Sequence, residues 1–252
     1  MTTTFSIVEL DSAKREIMQK KGIWKPEAPV SLDRLRCLSF PYYDFRGKIH
    51  IGELIIMDVL APYMSVFFEK LYELHFPINK VSPMENYDGD DDASMRDNNT
   101  SGFNCRVIAG TEDFSLHAYG LALDFNPLQN PYIGNSHVNE EKDCGLLEVW
   151  PTEGVDYINR GHLSPGMVEP IVNLIHSCGL RDWGGNWIYN LDYHHFQTPR
   201  SIAELLVAMT PSHAIAFFDW YVKTGGDPSD GEESFKIRYE KDPEDFMKQF
   251  RI

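Results

Sequence analysis

The sequence predicts an α+β fold in which helices flank a small antiparallel sheet. Strand-like and helix-like patterns alternate irregularly along the chain, and hairpin-like connections join the strand-like segments. No internal repeat or low-complexity segment interrupts them. With 252 residues, of which 42% are hydrophobic, the chain is long enough to bury a sizeable core.

The first hundred residues predict one strong helix and little else that is regular. Residues 1–45 are punctuated by proline and indicate a surface-wrapping extension, with a short charged helix near residues 12–21. From Gly52 to His75 apolar side chains recur at helical spacing, which predicts a buried helix. A short strand in FPINKVSPM and an acidic, asparagine-rich loop through Asn99 follow.

Two strands are predicted in the middle of the chain. β-prone residues alternate from Gly102 to Ile108, and a second apolar strand runs from Leu121 to Phe125. A turn-rich connection over residues 128–163 then leads to a helix that begins with Ser164 as its cap and ends near Gly179.

The remaining sequence predicts a strand pair and two helices. WGGNWIYNLDYHHFQ indicates a glycine turn followed by a final strand pair. SIAELLVAM and HAIAFFDWYVKTG are typical of amphipathic helices, and the polar tail from Gly225 is expected to be partly flexible.

Charge and composition exclude several classes of function. The formal net charge of -15 and the absence of Lys/Arg clusters argue against a nucleic-acid partner. The longest apolar run, Leu54 to Phe68, is broken by Asp58 and Pro62, so no membrane span is predicted. The chain start lacks the pattern of a secretory signal, which predicts a protein that is cytoplasmic at synthesis and is released, if at all, by another route. We expect a monomer.

The four cysteines do not indicate a metal site or a redox pair. They are widely spaced and form no CxxC motif. Because no secretion signal is evident, we expect free thiols rather than disulfides.

Two segments together carry residues that suit a metal ion. SLHAYGLALD contains His117 and Asp124, and DYHHF contributes Asp192, His194 and His195. A catalytic zinc ion needs three protein ligands and an open position, and a nearby carboxylate that is not a ligand can act as general base. Taken alone, however, a histidine before a turn and an aspartate at a strand end are more often local hydrogen-bonding groups. Spacing alone leaves both interpretations open.

The two segments resemble a known enzyme family. The pattern from Ser115 to Asp124 is similar to the SxHxxGxAxD signature of the zinc D-alanyl-D-alanine carboxypeptidases, a family that includes bacteriophage L-alanyl-D-glutamate endopeptidases and shares its fold with the Hedgehog signalling domain. DYHHFQ resembles the second signature of that family, an acidic residue followed three positions later by histidine. The order of the two signatures and their separation by about 70 residues also fit. The resemblance extends over residues 42–197.

The resemblance implies a set of site residues and a Hedgehog/DD-peptidase-like fold. It implies that one zinc ion is bound by His117, Asp124 and His195. Asp192 would be the general base, where many members have glutamate, and Arg106 would polarise the substrate carbonyl. The expected substrate-binding residues are Ser115, Arg106, His194 and Trp187.

Alternatives stay open for several of these residues. In a flat strand Asp192 and His194 share a face, so His195 can join the site only if the chain bends at Tyr193-His194. His194 is therefore the alternative third ligand. Arg106 could instead form a surface ion pair, Ser115 a simple turn hydrogen bond, and Trp187 a packing contact with the sheet.

The implied activity is hydrolysis of a peptide bond in peptidoglycan stem peptides, of the L-Ala-D-Glu or D-Ala-D-Ala type, by zinc-activated water. The alternatives are a zinc-stabilised binding module without catalysis and a peptidase for D-amino-acid peptides that are not from the cell wall. We divide the chain into an N-terminal extension (1–41), a zinc peptidase catalytic domain (42–200), and C-terminal helices and tail packed on the same unit (201–252).

Overall fold

The computed structural model describes residues 4–135, 147–226 and 234–250. In chain order its strands and α-helices are β1 (Ser6–Glu9), α1 (Ser12–Lys20), β2 (Leu35–Tyr43), β3 (Ile49–Met57), α2 (Ala61–Glu73), β4 (Lys80–Val81), α3 (Asp91–Arg96), β5 (Asn99–Thr100), β6 (Ala122–Asp124), β7 (Tyr132–Asn135), β8 (Leu147–Trp150), α4 (Val172–His176), β9 (Asp182–Trp183), β10 (Leu191–Asp192), β11 (His195–Gln197), α5 (Arg200–Ala208), α6 (Pro211–Thr224), α7 (Phe235–Lys241) and α8 (Pro243–Lys248).

The longest strands form an antiparallel sheet in the order β1-β2-β3. Strands β2 and β3 pair over their full length, from Leu35 opposite Met57 to Tyr43 opposite Ile49. Helix α2 covers this sheet, and its Phe68 stacks on Phe40 of β2 with ring centroids 3.7 Å apart. Much of the apolar core therefore lies between this sheet and α2.

The prediction of a helix from Gly52 to His75 is wrong over the first third of that range. Residues 52–57 belong to β3, and the helix begins only at Ala61, with proline in its first turn. A continuous apolar run fits a buried helix and a strand buried on both faces equally well. Periodicity alone therefore cannot distinguish the two. Pro62 marks the real start of the helix.

The interpretation of residues 1–45 as a surface-wrapping extension is also wrong, although the short helix α1 is confirmed. Leu35, Leu38 and Phe40 are completely buried and form part of the main core. The prolines of this region suggested irregular structure and so concealed the strand. The strand forms nevertheless, since its only proline, Pro41, lies near the end of β2. The division of the chain at residues 41 and 200 stays a prediction.

The acidic loop predicted before Asn99 contains the short helix α3. The side chain of Asp90 accepts a hydrogen bond from the Ala93 backbone, and Asp91 and Asp92 lie in the first turn. Acidic residues at a helix N-terminus are stabilised by the helix dipole, so the same charges that indicated a solvated loop favour this helix.

The strand predicted from Gly102 to Ile108 does not form. Its backbone N–H groups bind three different parts of the chain instead of one neighbouring strand: Phe103 donates to Ile55, Asn104 to His117 and Cys105 to Ile23. This extended segment therefore joins the main sheet to the residues that follow it, and tertiary contacts outweigh its local strand preference.

The residues around Asp124 and His195 form a second small sheet, in the order β6-β11-β9. A third sheet has the order β10-β7-β8, and β4 pairs with β5 in parallel. The predicted strands near Leu121–Phe125 and in the WGGNWIYNLDYHHFQ segment are confirmed. The α+β class is confirmed as well, but in the part of the chain that the structure describes the single small antiparallel sheet is replaced by three antiparallel sheets and one parallel pair.

Two connections differ from their predictions. The region 128–163 contains β7 and β8 in addition to turns. The helix predicted from Ser164 starts later, with a 3₁₀ turn at Glu169 and α4 at Val172, because Gly166 has a positive φ of 83°. The helix does end before Gly179, whose φ is 100°.

The C-terminal helices α5 and α6 are confirmed, and further helices follow them. Over residues 234–250 the tail that we expected to be partly flexible forms α7 and α8, and Tyr239, Phe246 and Phe250 are buried against α6. Because these apolar residues are widely spaced in a polar segment, the sequence pattern did not indicate the two helices.

Within the described ranges, no helix has the length and apolar character needed to cross a membrane. Cys37, Cys105 and Cys178 are free thiols as predicted, and Cys144 lies outside the described residues.

Candidate metal centre

A tight turn places the first candidate ligand. The side chain of Ser115 accepts a hydrogen bond of 3.3 Å from the His117 backbone and begins a 3₁₀ turn over Leu116–Tyr119. Gly120 ends this turn with a φ of 67°, which glycine adopts without strain. A Cβ at this position would lie 2.7 Å from the Met57 nitrogen, so the turn packs directly against β3.

A turn in the DYHHF segment decides which histidine joins the site. Strand β10 ends at Asp192, Tyr193 and His194 form a turn, and β11 begins at His195. The predicted bend at Tyr193-His194 is therefore confirmed. In the register of β11 and β6, His195 lies directly opposite Asp124.

Three buried side chains converge at this point. His117 Nε2 lies 3.2 Å from Asp124 Oδ1, His195 Nδ1 lies 2.9 Å from the same oxygen, and the two ring nitrogens are 3.3 Å apart. All three residues are at least 93% buried. This group could hold a metal ion.

The geometry fits zinc. Tetrahedral zinc with bonds of about 2.0–2.1 Å places its ligand atoms about 3.3–3.4 Å apart, close to the separations observed here. Two imidazoles and one carboxylate also match the ligand chemistry of catalytic zinc sites, which leave a fourth position open.

Hydrogen bonds turn the two imidazoles toward each other. His117 Nδ1 lies 2.5 Å from the Gly102 carbonyl oxygen, and His195 Nε2 lies 2.8 Å from Gln197 Oε1. Both partners only accept hydrogen bonds, so each of these ring nitrogens carries a proton and donates. In the neutral imidazoles, the remaining nitrogens, His117 Nε2 and His195 Nδ1, present lone pairs to the centre.

The electrostatics of the group favour a cation at its centre. Burial alone raises the pKa of Asp124, but the charges of His117 and His194 and hydrogen bonds from His117 and His195 hold this pKa well below its ordinary value. Burial lowers the pKa of His195, but the hydrogen bond and charge of Asp124 outweigh it and raise the pKa to about 9. Either a proton or a metal ion can satisfy such a set of lone pairs.

Asp192 lies beside the group rather than in it. Its Oδ1 is 3.0 Å from Nε2 of His194, and its charge contributes to the raised pKa of His195. His194 is buried, and its Nδ1 lies 2.9 Å from the Asn130 carbonyl oxygen. Plain strand geometry had made His194 the alternative ligand. The structure instead brings His195 to Asp124 and pairs His194 with Asp192.

Arg106 lies on the extended segment before the turn. It forms an ion pair with Asp91, which also accepts a 2.8 Å hydrogen bond from Asn104. Burial lowers the pKa of Arg106, and the nearby carboxylates of Asp124 and Asp192 oppose this change. Arg106 is therefore within electrostatic reach of the site, while the predicted alternative, an ion pair, is also present.

Trp187 lies against His195 with ring centroids 5.7 Å apart, so it borders the candidate centre. Trp183 stacks on Phe196 within the sheet and is 9% exposed. Ser115 is 5% exposed and caps the turn that carries His117, as in the simpler of its two predicted roles. Its contact with substrate stays a prediction.

Three polar side chains near the site were missed from the sequence. Gln197 and Asp182 lie next to each other on β11 and β9 and continue the hydrogen bonding from His195. Tyr132 lies opposite Asp192 across β7 and β10, and its buried hydroxyl has no hydrogen-bond partner among the described residues. Gln197 lies two positions after His195 on β11, whereas only the pairing of distant strands brings Asp182 and Tyr132 to the site, so local sequence carried no sign of those two.

Comparison with known proteins supports one family. A model of the D-alanyl-D-alanine carboxypeptidases matches residues 109–198, about a third of the chain. The matched segment includes both signatures, and the match confirms the resemblance read from them. No curated protein and no solved structure matched the chain. The Hedgehog-like fold therefore stays a prediction.

Proposed function

We propose that this chain is a zinc metallopeptidase that hydrolyses a peptide bond in peptidoglycan stem peptides, of the L-Ala-D-Glu or D-Ala-D-Ala type. The observation that carries this proposal is the convergence of His117, Asp124 and His195 at separations that suit tetrahedral zinc. The family match over the same segment supports peptidase chemistry.

Zinc, when bound to these residues, would lower the pKa of a water molecule and polarise the scissile carbonyl. The protein supplies the remaining steps. Asp192 takes a proton from the attacking water and passes it to the leaving amine, which a carboxylate outside the ligand set can do. His194, in contact with Asp192, holds this carboxylate in place.

Arg106 balances the negative charge that develops on the carbonyl oxygen during attack. A fixed guanidinium acts most strongly where water is excluded, and the side chain of Arg106 is partly buried. Trp187, whose ring lies 5.7 Å from that of His195, borders the bound substrate. These roles rest on position and on the resemblance of Arg106 and Asp192 to family residues.

Zinc analysis combined with a histidine variant tests the proposal. We expect the purified protein to contain one zinc ion per chain, and His117→Ala to lose both the metal and the cleavage of stem peptides. His162→Ala is the matched control because His162 is exposed, and it should behave like the parent. A parent without stoichiometric zinc, or a His117→Ala variant that cleaves normally, would overturn the proposal.

The two alternatives predict different results in the same assay. A binding module would hold zinc through the same residues but would leave all stem peptides intact. A peptidase with other substrates would leave wall peptides intact but cleave D-amino-acid peptides of other origin. The net charge of -15 gives no attraction to an anionic cell envelope.

A further inference from the structure

A chain of hydrogen bonds runs from His195 away from the candidate metal centre. His195 Nε2 lies 2.8 Å from Gln197 Oε1, and Gln197 Nε2 donates to Asp182 Oδ2 over 2.6 Å. The other oxygen of Asp182 accepts a 2.9 Å hydrogen bond from Trp187 Nε1. Four side chains on two strands and one loop are thus connected in sequence.

The chemistry of these groups fixes which of them donates and which accepts in each hydrogen bond. An indole N–H can only donate, and an ionised carboxylate can only accept. Asp182 therefore needs two donors, and it receives one from Trp187 and one from the Gln197 amide. If the Gln197 amide were reversed, its oxygen would face the Asp182 carboxylate, and two acceptors would lie 2.6 Å apart. Asp182 consequently selects the orientation in which Gln197 Oε1 faces His195.

The orientation of Gln197 in turn selects the form of His195. Because Gln197 Oε1 accepts only, Nε2 of His195 must carry the proton. In the neutral ring, which is the form that binds a metal, the lone pair of His195 then lies on Nδ1, the atom directed at Asp124 and His117. With the opposite tautomer, a proton on Nδ1 would occupy the position of a metal ion.

Strand pairing holds this arrangement in place. Gln197 lies directly opposite Asp182 in the register of β11 and β9, and the next pair is Phe196 and Trp183. The rings of that pair stack at 5.8 Å and are nearly parallel, with an interplanar angle of 6°. The backbone of both polar residues is therefore fixed by a packed aromatic pair one position away.

We propose that Gln197 and Asp182 are positioning residues that hold His195 in its metal-binding tautomer, with Trp187 fixing the far end of the chain. Neither side chain belongs to the group that could hold the metal. This inference rests on the proposed function, since it takes the His117, Asp124 and His195 group as a metal site. Partners of this kind commonly change metal affinity by about 10–100-fold.

Removing the acceptor is the first test. We expect Gln197→Leu to bind zinc about 10–100-fold more weakly than the parent, measured by competition with a chelating dye. Gln19→Leu makes the same change on the exposed surface of α1 and should leave zinc affinity unchanged. Thermal unfolding of both variants in the presence of chelator shows whether each is folded.

Exchanging the two polar groups separates positioning from simple packing. Gln197→Glu places two carboxylates against each other and should weaken zinc binding. Adding Asp182→Asn restores a donor facing residue 197, keeps an acceptor for Trp187, and leaves the total charge as in the parent. We expect the double variant to recover zinc affinity to within a few-fold of the parent, although each single variant is weaker.

The outcomes distinguish this inference from the function on which it rests. A parent that binds no zinc removes the proposed function, and the positioning role with it. A parent that binds zinc while folded Gln197→Leu binds it equally well overturns the positioning role alone. Purely additive losses in the double variant would also overturn it, because a packing defect at each site would not be repaired by the other.

Discussion

Asp192 and Asp124 are aspartates of the same region with different surroundings, and the difference separates their roles. Asp124 faces two imidazoles and has a strongly lowered pKa, which suits a permanently ionised ligand. Among the histidines that the structure describes, Asp192 pairs with His194, and it stands outside the converging group. A carboxylate in that position can exchange protons while the ligand set stays intact.

We therefore expect Asp192→Ala to retain zinc and to lose about 10²–10⁴-fold in kcat, because a general base acts in the transition state. Zinc content by elemental analysis and turnover of a defined stem peptide check the two parts separately. Loss of the metal in this variant would reassign Asp192 as a ligand. Full activity with the metal retained would exclude it as the base.

A second expectation at the residue scale concerns Arg106. If its guanidinium stabilises charge on the substrate, Arg106→Ala should lower kcat by about 10²–10³-fold and leave zinc binding unchanged. Asp91→Asn removes the ion-pair partner but keeps the arginine, and it serves as the control. Equal, small effects of the two variants on kcat would mean that Arg106 acts only through its ion pair with Asp91.

At the scale of elements, the turn after Ser115 depends on contact with β3. The Met57 nitrogen donates a 2.9 Å hydrogen bond to the Gly120 carbonyl oxygen, and no Cβ fits between them. The signature places a glycine at this turn, but the sequence could not show which neighbouring atoms a Cβ there would meet. The turn and the strand therefore support each other, and the position of His117 depends on both.

Gly120→Ala should destabilise the protein more than Gly110→Ala. Both glycines have positive φ, 67° and 77°, so each substitution costs about 1–2 kcal/mol for the backbone. A Cβ at Gly110 meets no atom within 4 Å, whereas at Gly120 it meets the Met57 nitrogen at 2.7 Å. We expect overpacking to add about 1–3 kcal/mol at Gly120, measured by denaturant unfolding with chelator present. Equal losses would show that the contact with β3 does not matter.

The elements that were predicted well are those whose signals are local. A glycine marks the turn at Gly120, and the spacing of the second signature indicates the bend at Tyr193-His194. Amphipathic periodicity predicts helices α5 and α6. The strand expected over residues 102–108 failed because its N–H groups bind three distant segments. Such partners are set by the tertiary fold, which local pattern does not contain.

At the scale of the whole molecule, a buried ion pair ties the beginning of β2 to the end of β3 and to the C-terminal helices. Arg34 binds both oxygens of Asp58, at 2.6 and 2.9 Å, and also reaches the carbonyl oxygens of Leu206 and Met209 at the end of α5. Segments that the sequence assigned to three separate parts of the chain thus share one buried contact. This long-range connection could not be read from spacing.

Arg34→Met should lower the free energy of unfolding by about 3–5 kcal/mol, because it leaves the buried Asp58 carboxylate without its partner. Lys70→Ala breaks an exposed ion pair with Glu73 and should cost no more than about 1 kcal/mol. Chemical denaturation of both variants gives the comparison. Similar small losses would mean that Asp58 is hydrated in the folded protein.

The candidate site was predicted more completely than the fold around it. The resemblance of two short signatures to a known family implied His117, Asp124 and His195 as a set, and the structure brings these three side chains together. The supporting residues Gln197 and Asp182 escaped because their role lies in the direction of hydrogen bonds across paired strands. The donor and acceptor of each of these hydrogen bonds can be assigned only once the register of β9 and β11 is known.

Mass spectrometry of defined stem peptides incubated with the zinc-loaded protein tests the central claim most directly. We expect one bond beside a D-residue to be cleaved with addition of water, cleavage to stop when a chelator removes the metal, and activity to return with added zinc. Intact L-Ala-D-Glu and D-Ala-D-Ala peptides after incubation with folded, zinc-loaded protein would contradict the claim that this centre is a stem-peptide hydrolase.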